Sequence, residues 1–201
     1  MEVVGIWIIG YLLGSVLPGL WIPRWYGVDI RRVGSGNVGS TNVYRALGFW
    51  PGFWVQVIDI GKAALAVWIA QHWAEEKWVW YGAATAAVLG HIFPVWTGFK
   101  GGKGVNALLG GMILIEPLST AAAVGTFLLV LLLSRYVSLS SMSAVSSFLL
   151  WHGLLGDGRW EGYAFGIAWA ALIIYTHWSN IRRLRQGEEP KVGRRQSAHP
   201  A

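Results

Sequence analysis

The chain has 201 residues, 54% of them hydrophobic and 13% charged, with a formal net charge of +6 and a mean hydropathy of +0.46. That is more apolar surface than a water-soluble domain of this length can hide, so the soluble globular class is excluded. The absence of cysteine excludes disulfides, thiolate metal sites and a thioester enzyme intermediate, and basic residues spread over short loops between apolar runs exclude nucleic acid as the expected partner.

The first apolar run, Val3–Ile22, is free of charge over about 20 residues, the length that crosses a roughly 30 Å hydrocarbon core as a helix. Glu2 precedes it in place of basic residues, and Leu17-Pro18-Gly19-Leu20 offers no small-residue cleavage site, so it reads as a mature helix and not a signal peptide. Further runs follow at Phe49–Ala70, Trp78–Trp96, Val105–Leu118, Ser119–Ser134, Ser141–Leu155 and Tyr163–His177. Stretches such as Phe127 to Leu133 are apolar on every side, which argues against barrel strands. The expected fold is all-α, a polytopic membrane helical bundle with seven transmembrane helices.

Charge sets the expected orientation. Arg24, Arg31, Arg32 and Arg45 follow the first run, Lys100 and Lys103 the third, Arg135 the fifth, and Arg182, Arg183, Arg185, Lys191, Arg194 and Arg195 the last. By the positive-inside rule these loops face the cytoplasm and the amino terminus lies outside. The fourth to seventh runs are only about 14 to 16 residues long, so five crossings with two re-entrant segments stay open beside seven. One long crossing over Val105–Ser134 would put the basic tail outside. Trp73, Trp78, Trp80 and Trp160 near the run ends read as headgroup anchors. Residues 1–187 form one expected transmembrane catalytic domain, and the polar segment 188–201 an expected mobile tail.

Three polar stretches carry candidate chemistry. In Gly34-Ser35-Gly36-Asn37-Val38-Gly39-Ser40-Thr41-Asn42-Val43-Tyr44-Arg45, glycines free the backbone to approach an anion and Arg45 adds a bidentate fork; the plain alternative is an ordinary flexible loop. Gly98 to Gly104 places Lys103 in a Gly-Gly-Lys-Gly turn. Its spacing fails the nucleotide phosphate-loop pattern, because Gly98 stands one residue too close and Gly104 occupies the Ser/Thr position, so an NTPase is rejected. The turn can still offer N–H groups and an ammonium to phosphate, or simply touch lipid headgroups. Arg135 to Ser141 and His177 to Leu184 form the third set; His177 and Asn180 share a face if the helix continues, while a helix-end histidine commonly caps carbonyls. All three stretches fall on the predicted cytoplasmic side.

Asp59 and Lys62, three apart within the second run, are costly in lipid and are expected to pair with each other or to face the bundle interior. His152 and Asp157 have the spacing of a known acyltransferase base and orienting carboxylate but sit at the opposite, outer end, so the match reads as coincidence.

Together the three stretches resemble the bacterial acyl-phosphate:glycerol-3-phosphate acyltransferase family: Ser-Gly-Asn-x-Gly-x-Thr-Asn-x-x-Arg over Ser35 to Arg45, Gly-His-x-Phe-Pro followed by Phe-Lys-Gly-Gly-Lys-Gly-Val over Gly90 to Val105, and Arg-Tyr-x-Ser-Leu before a terminal His-x-x-Asn-Ile. Two departures are Ser40, where the family has Ala, and Asn106-Ala107, where it has Ala-Thr. The resemblance implies transfer of a fatty acyl group from acyl phosphate to the 1-hydroxyl of glycerol 3-phosphate, giving lysophosphatidic acid and phosphate in the first acylation of bacterial phospholipid synthesis. It implies neither metal nor cofactor. It assigns Arg45, Lys103, Ser35, Ser141, His177 and Asn180 to glycerol 3-phosphate, with all of these but Ser141 in the catalytic set, and Asn37, Gly39, Thr41 and Asn42 to the acyl-phosphate head. For the proton of the attacking hydroxyl, either His177 or the donor's own phosphate serves, and the second is favoured.

Overall fold

The computed structural model describes residues 2–193; Arg194 and Arg195, counted above in the basic tail, lie outside the described residues. Ten α-helices run in order: α1 Val3–Gly14, α2 Pro18–Trp25, α3 Ser40–Leu47, α4 Phe49–Trp73, α5 Lys77–Ile92, α6 Val105–Ile115, α7 Pro117–Ser134, α8 Val137–Leu155, α9 Trp160–Thr176 and α10 Trp178–Gln186. No strand occurs among the described residues. Val3–Trp25, Phe49–Trp73 and Pro117–Ser134 are long and apolar enough to cross a membrane, and Val105–Ile115 is a shorter apolar helix.

Each apolar run falls on helix, and the deviations have local causes. The first run is broken at Ser15 to Leu17 because Pro18, which lacks an N–H, starts a new helix. The doubtful middle is two helices meeting at Glu116, where Pro117 again takes the first position of the second. The third run stops at Ile92, short of Trp96, because Pro94 disfavours helical backbone at Phe93.

The bundle packs α1 on α5, α4 on α6, and α7 with α8 as a hairpin. Small residues set the α1–α5 distance: a Cβ on Gly14 would run into the backbone of Ala87, and one on Gly90 into the carbonyl of Tyr11. Leu128, Leu129, Leu132 and Leu133 of α7 are exposed, a face suited to lipid and not to water. Trp73, Trp78 and Trp160 are exposed as anchors should be. Trp80 differs: it is half-buried and its indole N–H donates to Ala74 O at 2.7 Å, so it closes the α4–α5 turn.

His152 is fully buried, with Nδ1 2.7 Å from Glu116 Oε1 and Nε2 2.9 Å from Arg159 O. Arg159 O accepts from Nε2, and Nδ1 faces the Glu116 carboxyl. Lys77 pairs with Asp157 at 2.6 Å and Arg159 with Glu161 at 3.1 Å. The His152–Asp157 spacing thus belongs to an ionic clasp joining the ends of α5, α8 and α9, roughly 16 Å along α8 from Ser141.

Candidate active site

Two glycine-rich segments and the chain's last helical turns enclose a cavity of about 880 Å³. All ten residues singled out from the sequence line it: Ser35, Asn37, Gly39, Thr41, Asn42, Arg45, Lys103, Ser141, His177 and Asn180.

The first segment is shaped by its own side chains. Asn37 Oδ1 accepts from Gly39 N–H at 2.8 Å, turning the chain into α3. Asn42 is engaged throughout: Nδ2 donates to Val33 O and Asn37 O at 2.9 and 3.0 Å, and Oδ1 accepts from Ser35 N–H at 3.1 Å. Its amide therefore braces the loop at the cavity wall. The Thr41 hydroxyl has no hydrogen bond among the described residues, and the first amides of α3 cannot have intrahelical acceptors. The lysine turn ends on Gly104 with φ +86°, a left-handed conformation open to glycine, and α6 starts beside the cavity with its own unpaired amides. Arg31 Nη2 donates to Lys100 O at 2.8 Å and ties the two segments together.

The third set meets them through a break in the helix. α9 ends at Thr176 and α10 starts at Trp178, so His177 is the cap between two helices and not part of a continuous one. Both His177 and Asn180 are nonetheless buried at the cavity wall. His177 Nδ1 lies 2.8 Å from Ile173 O; a carbonyl only accepts, so Nδ1 carries the proton and Nε2 keeps its lone pair. The capping reading and the site reading thus both hold, one for each ring nitrogen. Lys103 Nζ donates to Asn180 Oδ1. Burial draws its ammonium down to about 8, Glu189 opposing and Arg183 and Arg45 adding to the shift.

Glu189 was not singled out from the sequence. Placed there in the polar tail, it is buried: Oε1 accepts from Ser138 Oγ and Asn180 Nδ2, each at 2.6 Å, and Oε2 from Arg183 Nε at 2.8 Å. Burial acts to raise its carboxyl, but these hydrogen bonds prevail and hold it below its usual range. Pro190 O accepts from Arg45 Nη2 at 3.2 Å and Val192 N–H donates to Arg135 O at 2.9 Å, so residues 188–193 pack on the site, where mobility was expected. The available signal was an acidic pair, Glu188-Glu189, inside an otherwise basic tail.

Asp59 and Lys62 pair at 2.7 Å, as expected, and are buried. Unexpectedly, Asp59 and His91 also line the cavity. Asn106 Nδ2 donates to Ser40 Oγ at 3.0 Å, and both line the cavity.

This arrangement can hold two anions behind backbone amides, Arg45 and Lys103, with a neutral imidazole lone pair between them. A family model described as glycerol-3-phosphate acyltransferase matches residues 4–187. A glycerol-3-phosphate acyltransferase of Thermus thermophilus is 42% identical over 192 residues, covering 95% of this chain and 96% of that relative. One of Cereibacter sphaeroides is 42% identical, covering 94% and 90%. The crystal structure of PlsY, an integral membrane glycerol 3-phosphate acyltransferase, in its glycerol 3-phosphate form, superposes with a TM-score of 0.89 at 40% identity, covering 95% of this chain and 96% of that one. Its lysophosphatidic acid form gives 0.87 at 39% identity, covering 95% of each.

Proposed function

The chain belongs to the glycerol-3-phosphate acyltransferase family of integral membrane enzymes, and on that footing we propose that it transfers a fatty acyl group from acyl phosphate to the 1-hydroxyl of glycerol 3-phosphate, releasing lysophosphatidic acid and inorganic phosphate. The observation that carries this reading is one cavity in which Lys103, Arg45 and the amides of two helix starts converge. An acyl phosphate is already a mixed anhydride with a good leaving group. The protein has to bring two anions together, align the hydroxyl and stabilise the developing oxyanion.

In this reading Arg45, Lys103, Ser35, Ser141, His177 and Asn180 hold glycerol 3-phosphate. Gly39 and Thr41 contact the acyl-phosphate head, with Asn37 and Asn42 setting the loop's shape. The hydroxyl oxygen attacks the acyl carbon, the C–O bond to phosphate breaks, and the leaving phosphate takes the hydroxyl proton. His177, neutral with its lone pair on Nε2, positions the hydroxyl.

The basic loops support seven crossings with the amino terminus outside and the site on the cytoplasmic face of the bacterial inner membrane. Purified protein in detergent, given acyl phosphate and glycerol 3-phosphate, should release phosphate and form lysophosphatidic acid; acylation only from a thioester donor, or none, refutes the reading. Labelling of the Lys103 turn from outside intact cells refutes the orientation.

A further inference from the structure

Beneath the two phosphate-binding segments, His91 sits in the last turn of α5, 3% exposed, and lines the cavity beside Asp59. Lys62 Nζ lies 2.6 Å from Val16 O, 2.7 Å from Asp59 Oδ1 and 2.9 Å from His91 Nδ1. Val16 O is a carbonyl left over by the α1–α2 break, and Asp59 is the anion that keeps Lys62 charged in an apolar interior. An ammonium has three donors and no acceptor. Nδ1 of His91 must therefore accept, since a proton there would set two donors 2.9 Å apart. The 3.3 Å approach of Asp59 Oδ1 to the same nitrogen follows from their sharing Lys62.

The ring is thus neutral with its proton on Nε2. Among the described residues nothing accepts from that N–H. The lysine turn lies over it: Gly102 N–H donates to His91 O at 2.9 Å and Gly101 N–H to Ile92 O at 3.0 Å, and a Cβ on Gly102 would collide with the imidazole. An N–H at the cavity wall without a protein partner is open to an acceptor that arrives there. We propose that His91 is a substrate-binding residue whose Nε2–H donates to an anionic phosphoryl oxygen at the cavity floor, with the Lys62–Asp59 pair fixing the ring's tautomer and direction.

This inference rests on the acyl-transfer reading for which substrate brings the oxygen. The test uses the full chain in detergent, wild type against His91→Asn and His91→Gln, with both substrates varied and thermal unfolding followed alongside. Asparagine keeps an acceptor for Lys62 but stops short of the floor, whereas glutamine places an N–H near the Nε2 position. We expect H91N to remain folded and to lose roughly 10- to 100-fold in kcat/KM, and H91Q to recover most of it. A raised KM for acyl phosphate alone identifies the donor's oxygen, and one for glycerol 3-phosphate alone the acceptor's. Wild-type rates in H91N, or equal losses in both variants matched by equal drops in unfolding temperature, overturn the proposal. Should the wild type form no product, the acyl-transfer reading fails by itself. Inorganic phosphate then still reports on His91: it should raise the unfolding temperature of wild type and H91Q more than that of H91N, and equal shifts in all three overturn the proposal.

Discussion

Asn106 Nδ2 donates to Ser40 Oγ across 3.0 Å, joining the first turn of α6 to the first turn of α3. Ser40 is buried and Asn106 half-buried, so the bond satisfies both groups and couples the two helix starts that line the cavity.

Each single change, Ser40→Ala or Asn106→Ala, should therefore weaken use of acyl phosphate several-fold. The double change should cost less than the sum, with a coupling of about 0.5–1.5 kcal/mol. A double-mutant cycle on kcat/KM checks this, and strict additivity shows that the hydrogen bond does not matter.

Lys103 gives a pH dependence. Its ammonium is lost as pH rises through about 8, so kcat/KM for glycerol 3-phosphate should fall above that pH, since this ratio reports the free enzyme. Bound dianion favours the charged form, so kcat should hold to higher pH. Lys103→Arg should flatten the alkaline limb, and Lys103→Ala and Arg45→Ala should both raise the KM for glycerol 3-phosphate. An unchanged alkaline limb in Lys103→Arg contradicts the assignment.

For His177, single-turnover acyl transfer at saturating glycerol 3-phosphate should stay within roughly tenfold of wild type in His177→Ala, with the loss appearing in acceptor affinity. Rapid quench at fixed acyl phosphate measures this. A deep loss in the chemical step makes the imidazole the base.

Glu189 ties folding to pH. Its carboxyl is depressed in the folded protein, so its stabilisation is fully present above the unfolded value near 4.5 and is lost as pH falls through the lower folded value. Glu189→Gln should remove that acid-side loss and also raise the KM for glycerol 3-phosphate, because Asn180 and Arg183 lose their anchor. Thermal unfolding between neutral and acid pH separates the two effects.

The outer clasp should matter to stability alone. His152→Ala leaves Glu116 buried without its partner, at a cost of about 3–5 kcal/mol, yet the KM values of the protein that still folds should be those of wild type. A selective KM change would tie the clasp to the cavity.

Much of this molecule is legible along the chain. Apolar runs of membrane length are local signals, and they located α4 to α9 to within a few residues, whereas the first run proved to be two helices, α1 and α2, and α3 lay in a stretch read as a glycine-rich loop. The ten residues that the family resemblance assigned to the substrates all line one cavity, whose other walls it did not name. The sequence also anticipated that Asp59 and Lys62 would pair, three apart on one helix. It could not show what their pairing serves, since His91 comes from another helix 29 residues away. Nor could it show that Glu189 reaches back to Ser138, or that Ser40 meets Asn106. Those contacts depend on how close α1, α4, α5 and α6 approach and on where the chain turns back after α10, which is decided by small-residue packing across the whole bundle. Hydropathy and spacing determined where the helices and the anion-binding segments lie; which buried donor meets which acceptor was decided only when distant segments were brought within hydrogen-bond reach.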